Sequence, residues 1–339
     1  MYPDLTCHPQ YFYAQNPETF KRARLSYYTS KKKIDQSFVR KLFLDEYRSR
    51  FLDQYFHKLN LEKLKNIKAD IIIITATFNR AHTIEKLFLS IINQKFPGNI
   101  CWIIIDNGST DATAQLLASY QTDLNIIYLK YSAPFGYASP SRNRGLAFAY
   151  AFLKKQTGLK YYWVIDSDDY IHNEYVLKNL YTISRRHRSV ITHGFAVTNY
   201  EDNNGIIITQ NTIPREINSA FPMVPTLKDE FETGPQNLAA IVDCNFLPYF
   251  YYPDEFTMED DALNQRIMAY CFKRKLKIIA LDTPCLVKTF HLNSMSGSNN
   301  TIGNQDLMMG VGPMTVKGVR AQVVIGLLHL RDYFTRQSV

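Results

Sequence analysis

The sequence is poor in cysteine and has none in the arrangements that define disulfide-rich or zinc-binding domains. Its 339 residues include five cysteines, an odd number, and no two form a Cys-x-x-Cys pair. A disulfide framework and a structural zinc site are therefore not expected, and the reducing cytoplasm is the expected compartment. Cys101 lies in an apolar run and is predicted to be a core residue.

Long apolar runs and the common nucleotide-binding glycine motifs are also missing. No segment approaches the roughly 20 apolar residues that span a bilayer, and the N-terminus lacks the basic and then apolar pattern of a signal peptide. No dinucleotide-binding, P-loop or nucleophile-elbow glycine motif is placed to support those chemistries. These absences argue against dehydrogenases, P-loop NTPases and serine hydrolases, and any membrane contact is expected to be peripheral, on the inner face.

Charge is spread unevenly along the chain. The net charge is +8, but residues 1–68 hold 14 Lys and Arg against 7 Asp and Glu, whereas the remainder holds 25 against 24. Apolar residues recur at steps of four or five from Phe38 to Leu59, which predicts a helix in this basic extension. Its charge could solvate the helix, attract anionic lipid or bind nucleic acid. Nucleic acid is not expected, because no nucleic-acid module is present; self-association through the helix is left open.

Strand and helix patterns alternate through the first half of the remaining chain. Strands are predicted at 71–74, 101–105, 126–129 and 161–165. Helices are predicted at 83–93, after an N-cap at Ser109 or Thr110, and at 142–155. A loop is predicted over 133–141, before the last of these helices. This alternation predicts an α/β fold with a doubly wound, mostly parallel sheet.

The pattern changes after residue 169. A hairpin is predicted at 190–200 and 206–210 around Asn204-Gly205, followed by a strand at 238–242, a helix at 260–272 and a strand at 276–281. The stretch 316–334 is predicted to be an amphipathic helix, which could pack on the core or lie in a membrane interface.

Three carboxylates stand directly behind the apolar run 161–165. Asp166, Asp168 and Asp169 should lie at the carboxyl edge of the sheet, where open α/β sheets bind ligands. Like charges this close repel each other unless a cation or a polyhydroxyl ligand is present. Oxygen ligands suit Mg²⁺ or Mn²⁺, so this position is the first candidate for a functional site.

The order of five segments resembles the family 2 glycosyltransferases of GT-A fold. They are Ile-Thr-Ala-Thr-Phe-Asn (74–79), Ile-Asp-Asn-Gly-Ser-Thr-Asp (105–111), Ser-Arg-Asn-Arg-Gly (141–145), Asp-Ser-Asp-Asp (166–169) and Glu-Asp (259–260). The resemblance covers roughly residues 70–295. It implies a GT-A catalytic domain (69–295, with a nucleotide-sugar half to about 170 and an acceptor half from 171). The basic, helical extension (1–68) and the C-terminal loop and amphipathic helix (296–339) lie outside the resemblance and are expected from charge and periodicity.

The resemblance also implies a role for each matching position. Binding of the nucleotide-sugar would involve Thr77, Phe78, Asn79, Asp106, Asn107, Arg142, Asn143, Asp166, Ser167 and Asp168. A Mn²⁺ or Mg²⁺ ion would be held by Asp166, Asp168, Asp169 and His291, and Asp260 would be the general base. Three alternatives stay open: a helix-capping turn at Asp106-Asn107, a structural ion pair for Arg142, and a structural or surface role for His291.

The implied activity is metal-dependent, inverting transfer of a sugar from a UDP- or dTDP-sugar to the hydroxyl of a glycan or glycolipid, as in bacterial surface-glycan synthesis. Two alternatives are a sugar-phosphate nucleotidyltransferase and a non-catalytic nucleotide-binding scaffold. The first would need a glycine-rich loop after the first strand, and residues 75–80 contain no glycine. The intact carboxylates argue against the second.

Overall fold

The computed structural model describes residues 64, 66–132, 138–154, 158–201, 207–211, 239–247, 252 and 276–290. The basic extension, the helix predicted at 260–272, His291 and the C-terminal stretch therefore lie outside the described residues. No helix in the described ranges is long and apolar enough to cross a membrane.

The elements follow in chain order as β1 (Ile71–Thr77), α1 (Ile84–Ile92), β2 (Ile100–Asp106), α2 (Thr113–Ser119), β3 (Asn125–Lys130), α3 (Ala138–Phe148, continued by a π-helical turn at Ala149–Leu153), β4 (Tyr161–Val164), β5 (Tyr170–Ile171), α4 (Val176–His187), β6 (Ile191–Glu201), β7 (Ile207–Asn211), β8 (Ala240–Asp243) and β9 (Ile278–Phe290).

The strands of the described chain form one sheet in the order β3-β2-β1-β4-β8-β6-β9-β5, with β7 paired to β6. Strands β1 to β4 are mutually parallel, and β8 is antiparallel to both of its neighbours, β4 and β6. Because β9 runs parallel to β6, six of the nine strands point the same way. The predicted α/β fold with a mostly parallel sheet is confirmed.

Alternate residues of β1 and β2 face two separate cores. Ile72 and Ile74 pack with Ile103 and Ile105 in the core that α3 covers. Ile71, Ile73, Trp102 and Ile104 face α1 and α4 on the other side. Cys101 is fully buried in the first core, as predicted, and burial raises the pKa of its thiol to about 12. A strand buried on both faces reads as an unbroken apolar run because helices cover both sides.

Three predicted boundaries were wrong. Residues 138–141 were expected in a loop but form the first turn of α3, where Pro140 is tolerated because the first-turn N–H groups have no partner in the helix. The last strand extends past Pro284 to residue 290 because its register with β6 shifts there, which absorbs the proline in an irregularity. Ser109 and Thr110 do not cap α2; Asp111 accepts the N–H of Thr113 instead. Helix α4 and strand β5 were not predicted.

Glycine at position 145 is required by the approach of α3 to β1. A Cβ there would lie 2.3 Å from Cγ2 of Ile74. We expect Gly145→Ala to lower the free energy of unfolding by about 1–3 kcal/mol through overpacking, although the same change in an unobstructed helix would raise it by about 1 kcal/mol. Urea unfolding measures the difference. Asn179→Ala, on the exposed side of α4, is the control and should change stability by less than about 0.5 kcal/mol; a stabilising effect at 145 would contradict the packing.

Candidate active site

The carboxyl ends of β1, β2 and β4 meet at one edge of the sheet. Thr77, at the end of β1, is in register with Asp106 at the end of β2, and Ile74 is in register with Val164 of β4. The segments 77–79, 106–107 and 166–168 are therefore brought to the same edge, as the sequence predicted. We call this the acidic edge.

Asn79 joins the first two loops of the acidic edge. Its side-chain oxygen accepts the N–H groups of Thr110 (2.8 Å) and Asp111 (3.3 Å), while its own N–H donates to Oγ of Ser109 (2.9 Å). Its φ of 53° lies in the left-handed region, which asparagine tolerates better than most residues. Next to it, the N–H groups of Arg80 and Ala81 donate to Thr113 and Asp111. We call this set of bonds the loop clasp.

The loop clasp predicts that replacing Asn79 will destabilise the loops after β1 and β2. Asn79→Ala removes the acceptor and leaves a Cβ in the left-handed region, so we expect a loss of about 1–3 kcal/mol in unfolding free energy. Amide hydrogen exchange at Thr110 and Asp111 should accelerate, as mass spectrometry would show. Asn79→Asp keeps an acceptor oxygen and the tolerated backbone conformation, and should restore most of the protection. Equal exchange in the two variants would show that the side-chain bonds are unimportant.

Asp106 and Asn107 are held by the protein itself. The Asp106 carboxylate is fully buried, accepts the N–H of Ser109 (2.7 Å), and accepts the hydroxyl of Tyr128. The N–H of Asn107 donates to the carbonyl of Thr77 (2.8 Å). Neither residue caps α2, so the capping alternative is not what the structure shows. Their contact with a base or ribose stays a prediction.

Phe78 is an exposed aromatic side chain in the loop after β1. It is 42% exposed, whereas Thr77 and Ser167 are buried. An exposed aromatic ring beside a ligand-binding edge can stack on a base. A contact of Phe78 with the nucleotide therefore stays in the predicted set on physical grounds.

Arg142 is buried in α3 and pairs with Asp166. Its Nε and Nη2 lie 3.0 and 2.6 Å from one oxygen of Asp166, whose side chain keeps 23% of its surface exposed. The guanidinium also lies 5.0 Å from the ring centroid of Tyr252. The ion pair that the sequence left open as an alternative for Arg142 is therefore present, but Arg142 is buried in the core and does not lie at the surface. Its hold on Asp166 fixes the first carboxylate of the 166–169 loop.

Asn143, the next residue of α3, grips the backbone of Tyr252. Its amide donates to the carbonyl of Tyr252 (2.8 Å), and its oxygen accepts the N–H of Tyr252 (2.9 Å). Both residues are buried. The side chain is therefore committed to protein and holds the point from which the chain continues to residues 253–260. Binding of the nucleotide-sugar by Asn143 stays untested.

Asp168 faces a cation that the sequence analysis did not select. Its carboxylate lies 3.6 Å from Nε of Arg80, and both side chains are mostly buried. The N–H of Arg80 is part of the loop clasp, so its bond to Thr113 holds the backbone of Arg80 in place. Arg80 could have been identified from the sequence. It is a basic residue in the loop after β1, and the acidic loop 166–169 follows β4, the strand beside β1.

Asp169 is unlike the other two aspartates. It is 3% exposed, one oxygen accepts the N–H of Thr289 in β9 (2.9 Å), and the other has no hydrogen-bond partner among the described residues. Burial, and then the charge of Asp168, raise the pKa of Asp169 well above its ordinary value, against the opposing effect of Lys288. Asp169 therefore ties the 166–169 loop to the strand that ends just before His291.

The carboxylates suit a hard cation unequally. Asp166 and Asp168 are oxygen donors on one loop with partly exposed side chains, which fits Mg²⁺ or Mn²⁺, whereas Asp169 is sealed from solvent. Within the described ranges, no three His, Cys, Asp or Glu side chains form a group that could hold a metal ion. His291 and Asp260 lie outside those ranges, so the four-residue metal set and the general base stay predictions.

Comparison with known proteins gives a family match over most of the fold. The family described as Glycosyl transferase family 2 matches residues 72–277. The chain is 28% identical over 120 residues to the poly(ribitol-phosphate) beta-N-acetylglucosaminyltransferase TarS of Staphylococcus aureus, which is 35% of this chain and 20% of TarS. It is also 28% identical over 170 residues to a poly(ribitol-phosphate) beta-glucosyltransferase of Bacillus spizizenii, which is 50% of this chain and 24% of the relative. The chain thus matches about a fifth to a quarter of the length of these curated relatives.

Solved structures with similar folds include two of bacterial or archaeal transferases. The crystal structure of S. aureus TarS 1-349 in complex with UDP superposes with a TM-score of 0.49 and 21% identity, over 71% of this chain and 65% of that one. The mannosyltransferase PcManGT from Pyrobaculum calidifontis, in complex with GDP-Man and Mn²⁺, gives a TM-score of 0.48 and 14% identity, over 84% and 76%.

Proposed function

This chain belongs to glycosyl transferase family 2, and from that premise we propose that it transfers a sugar from a UDP- or dTDP-sugar to an acceptor hydroxyl with inversion at the anomeric carbon. The observation that carries the proposal is the acidic edge, where the 166–169 loop lies beside the two loops joined by the clasp. The chain offers carboxylates for a cation and an open aromatic ring for a base at the ends of adjacent strands.

Each part of the acidic edge has a task in this proposal. Asp166 and Asp168, with His291, would hold a divalent cation, which when bound neutralises the diphosphate as a leaving group. Arg142 and Arg80 orient those two carboxylates, and Asp169 keeps their loop against β9. Asp260 would take the proton from the acceptor hydroxyl as its oxygen attacks the anomeric carbon from the face opposite the diphosphate.

For the acceptor, we infer a bacterial surface polymer that carries free hydroxyl groups. This is supported by the names of the curated relatives, both of which act on poly(ribitol-phosphate). The division of labour between a nucleotide-sugar half (69–170) and an acceptor half (171–295) belongs to the same proposal. In the first half, the sheet edge carries the aspartates and the loop clasp; the second half contributes β9, to which Asp169 is bound.

Thermal unfolding against a panel of nucleotides and nucleotide-sugars, with and without Mn²⁺, tests the proposal. A donor present at 100 times its dissociation constant should stabilise the native state by about 2.7 kcal/mol, and the largest shift should require both a uridine or thymidine diphospho-sugar and the cation. Asp168→Asn should remove most of the cation-dependent part. A panel without any cation-dependent shift would favour the scaffold alternative, and release of pyrophosphate from a nucleoside triphosphate and a sugar phosphate would favour the nucleotidyltransferase.

A further inference from the structure

The edge of the sheet opposite the acidic edge is rich in exposed cations. Strands β1, β4, β6 and β9 all begin there, and each is preceded within three residues by an exposed Lys or Arg: Lys68, Lys160, Arg188 and Lys277. Backbone hydrogen bonds tie the starts of neighbouring strands together, from Lys160 to Asp70 (3.1 Å) and from Val190 to Lys277 (2.8 Å). Arg185 and Arg186, exposed at the end of α4, lie at the same edge. We call these six residues the basic edge.

The end of α4 explains only part of this charge. Basic residues in the last turn of a helix are stabilised by its dipole, which accounts for Arg185 and Arg186. Lys160 and Lys277 directly precede strands and stand outside the helices of the described residues. Lys68, Lys160, Arg188 and Lys277 form no ion pair within the part of the chain that the structure describes. Their charges therefore have no carboxylate partner among the described residues.

Few acidic residues of the described chain lie at this edge. Asp70 accepts the N–H of Asn99 (2.9 Å), and Asp243 accepts the N–H of Asn245 (2.7 Å); both are only partly exposed. Asp123 is exposed but precedes β3, at the far end of the sheet. Against Asp70, Asp243 and Asp123, the six cations leave the basic edge with a net positive charge among the described residues.

The basic extension enters the fold at this same edge. Residues 1–68, with 14 Lys and Arg against 7 Asp and Glu, lead into β1 through Lys68. Between β1 and β9 there are three intervening strands, so the cations are spread over roughly 20 Å at a strand spacing of about 4.8 Å. The acidic edge lies about 23 Å away, at the other end of the seven-residue β1. Positive charge is thus concentrated where the parallel strands begin, and the aspartates of the acidic edge lie where they end.

We propose that the basic edge docks this protein on a bilayer that contains anionic phospholipid, with the acidic edge turned toward the aqueous phase. Cations spread along the whole edge of a sheet match a flat, diffuse negative surface, to which each Lys or Arg near the membrane adds attraction. Single-stranded nucleic acid is bound by grooves in which aromatic rings alternate with cations. Within the part of the chain that the structure describes, Arg185 is the one member of the basic edge that lies against a ring, that of Tyr181. In this orientation a sugar-transfer site would face an acceptor that extends away from the membrane.

Flotation of the full chain with lipid vesicles tests the proposal. Vesicles of phosphatidylcholine with about 30 mol% phosphatidylglycerol should bind the protein, and pure phosphatidylcholine vesicles should not. Binding should fall steeply between about 0.05 M and 0.5 M NaCl because exposed charges are screened. Lys160→Glu with Lys277→Glu should lower the vesicle partition coefficient by roughly 30-fold or more.

The control makes the same change in net charge elsewhere. Lys86→Glu with Lys178→Glu alters two lysines in the first turns of α1 and α4, and this variant should bind vesicles nearly as well as the unaltered protein. Circular dichroism would show that both variants are folded. Equal loss of vesicle binding in the two variants would assign the binding to net charge. Equal retention of vesicle binding would assign it to residues 1–63. Either result would overturn the proposal. Binding to soluble inorganic polyphosphate without binding to anionic vesicles would overturn the membrane as partner. None of these measurements depends on the donor or on sugar transfer.

Discussion

Asp260→Asn is expected to abolish sugar transfer and leave donor binding intact. Loss of a general base typically lowers turnover by about 10²–10⁴-fold, the largest effect we expect of any single substitution in this chain. The amide is close in size to the carboxylate but cannot accept the proton of the acceptor hydroxyl. Transfer would be followed by release of the nucleoside diphosphate, and donor binding by calorimetry in the presence of Mn²⁺.

Neighbouring carboxylates provide the comparison for Asp260. Glu259 and Asp261 are adjacent in the sequence and would suit the N-terminus of a helix, where acidic residues interact with the dipole. Asp261→Asn should therefore keep turnover within a few-fold of the unaltered protein and change stability by about 0.3–1 kcal/mol at most. If Asp261→Asn is as inactive as Asp260→Asn, or if Asp260→Asn turns over normally, the base has been assigned to the wrong residue.

Asn143→Leu is expected to lower the free energy of unfolding strongly. It removes both hydrogen bonds to the backbone of Tyr252 and leaves a buried N–H and a buried carbonyl without their partner. Each unsatisfied group costs about 1–3 kcal/mol, so a total of about 2–5 kcal/mol should appear in urea unfolding. Asn99→Ala, which removes a single long side-chain bond (3.4 Å) at an exposed position, should cost less than about 1 kcal/mol.

The functional consequence of Asn143→Leu should be selective. Tyr252 stands eight residues before Asp260, so freeing its backbone should disturb the approach of the base more than the acidic edge. We expect turnover to fall at least about tenfold while the affinity for donor and cation changes little. Asn143→Asp retains the acceptor for the N–H of Tyr252 but repels its carbonyl, and should be intermediate. Equal losses in donor affinity and turnover would indicate general unfolding and not a positioning role.

The sheet could be predicted because its central strands are buried on both faces. Strands β1, β2 and β4 each appear as unbroken apolar runs, and alternation with helices then determines that they are parallel. Helix α4 was missed although Val176, Leu177, Leu180 and Ser184 lie on one buried face. Its mean hydropathy is low because basic residues fill its last turn. The length of β9 was missed because Pro284 is normally a sign that a strand has ended.

The candidate site could be located from the sequence, but the internal roles of its residues could not. Asp166, Asp168 and Asp169 are chemically identical in the sequence, and only the fold shows that two of them face arginines while the third is buried against Thr289. The partners of Asn79 stand about thirty residues further along the chain. Contacts of this kind depend on which strands are neighbours, and no local periodicity records them.

The loop clasp has a consequence for chimeric enzymes built from related transferases. The loop after β1 and the loop after β2 hold each other through reciprocal bonds between side chains and backbone, so neither has an independent shape. Grafting one of them alone from a relative would leave donors and acceptors mismatched on both sides. The two loops form one structural unit, and donor specificity should transfer between homologues only when both loops are exchanged together.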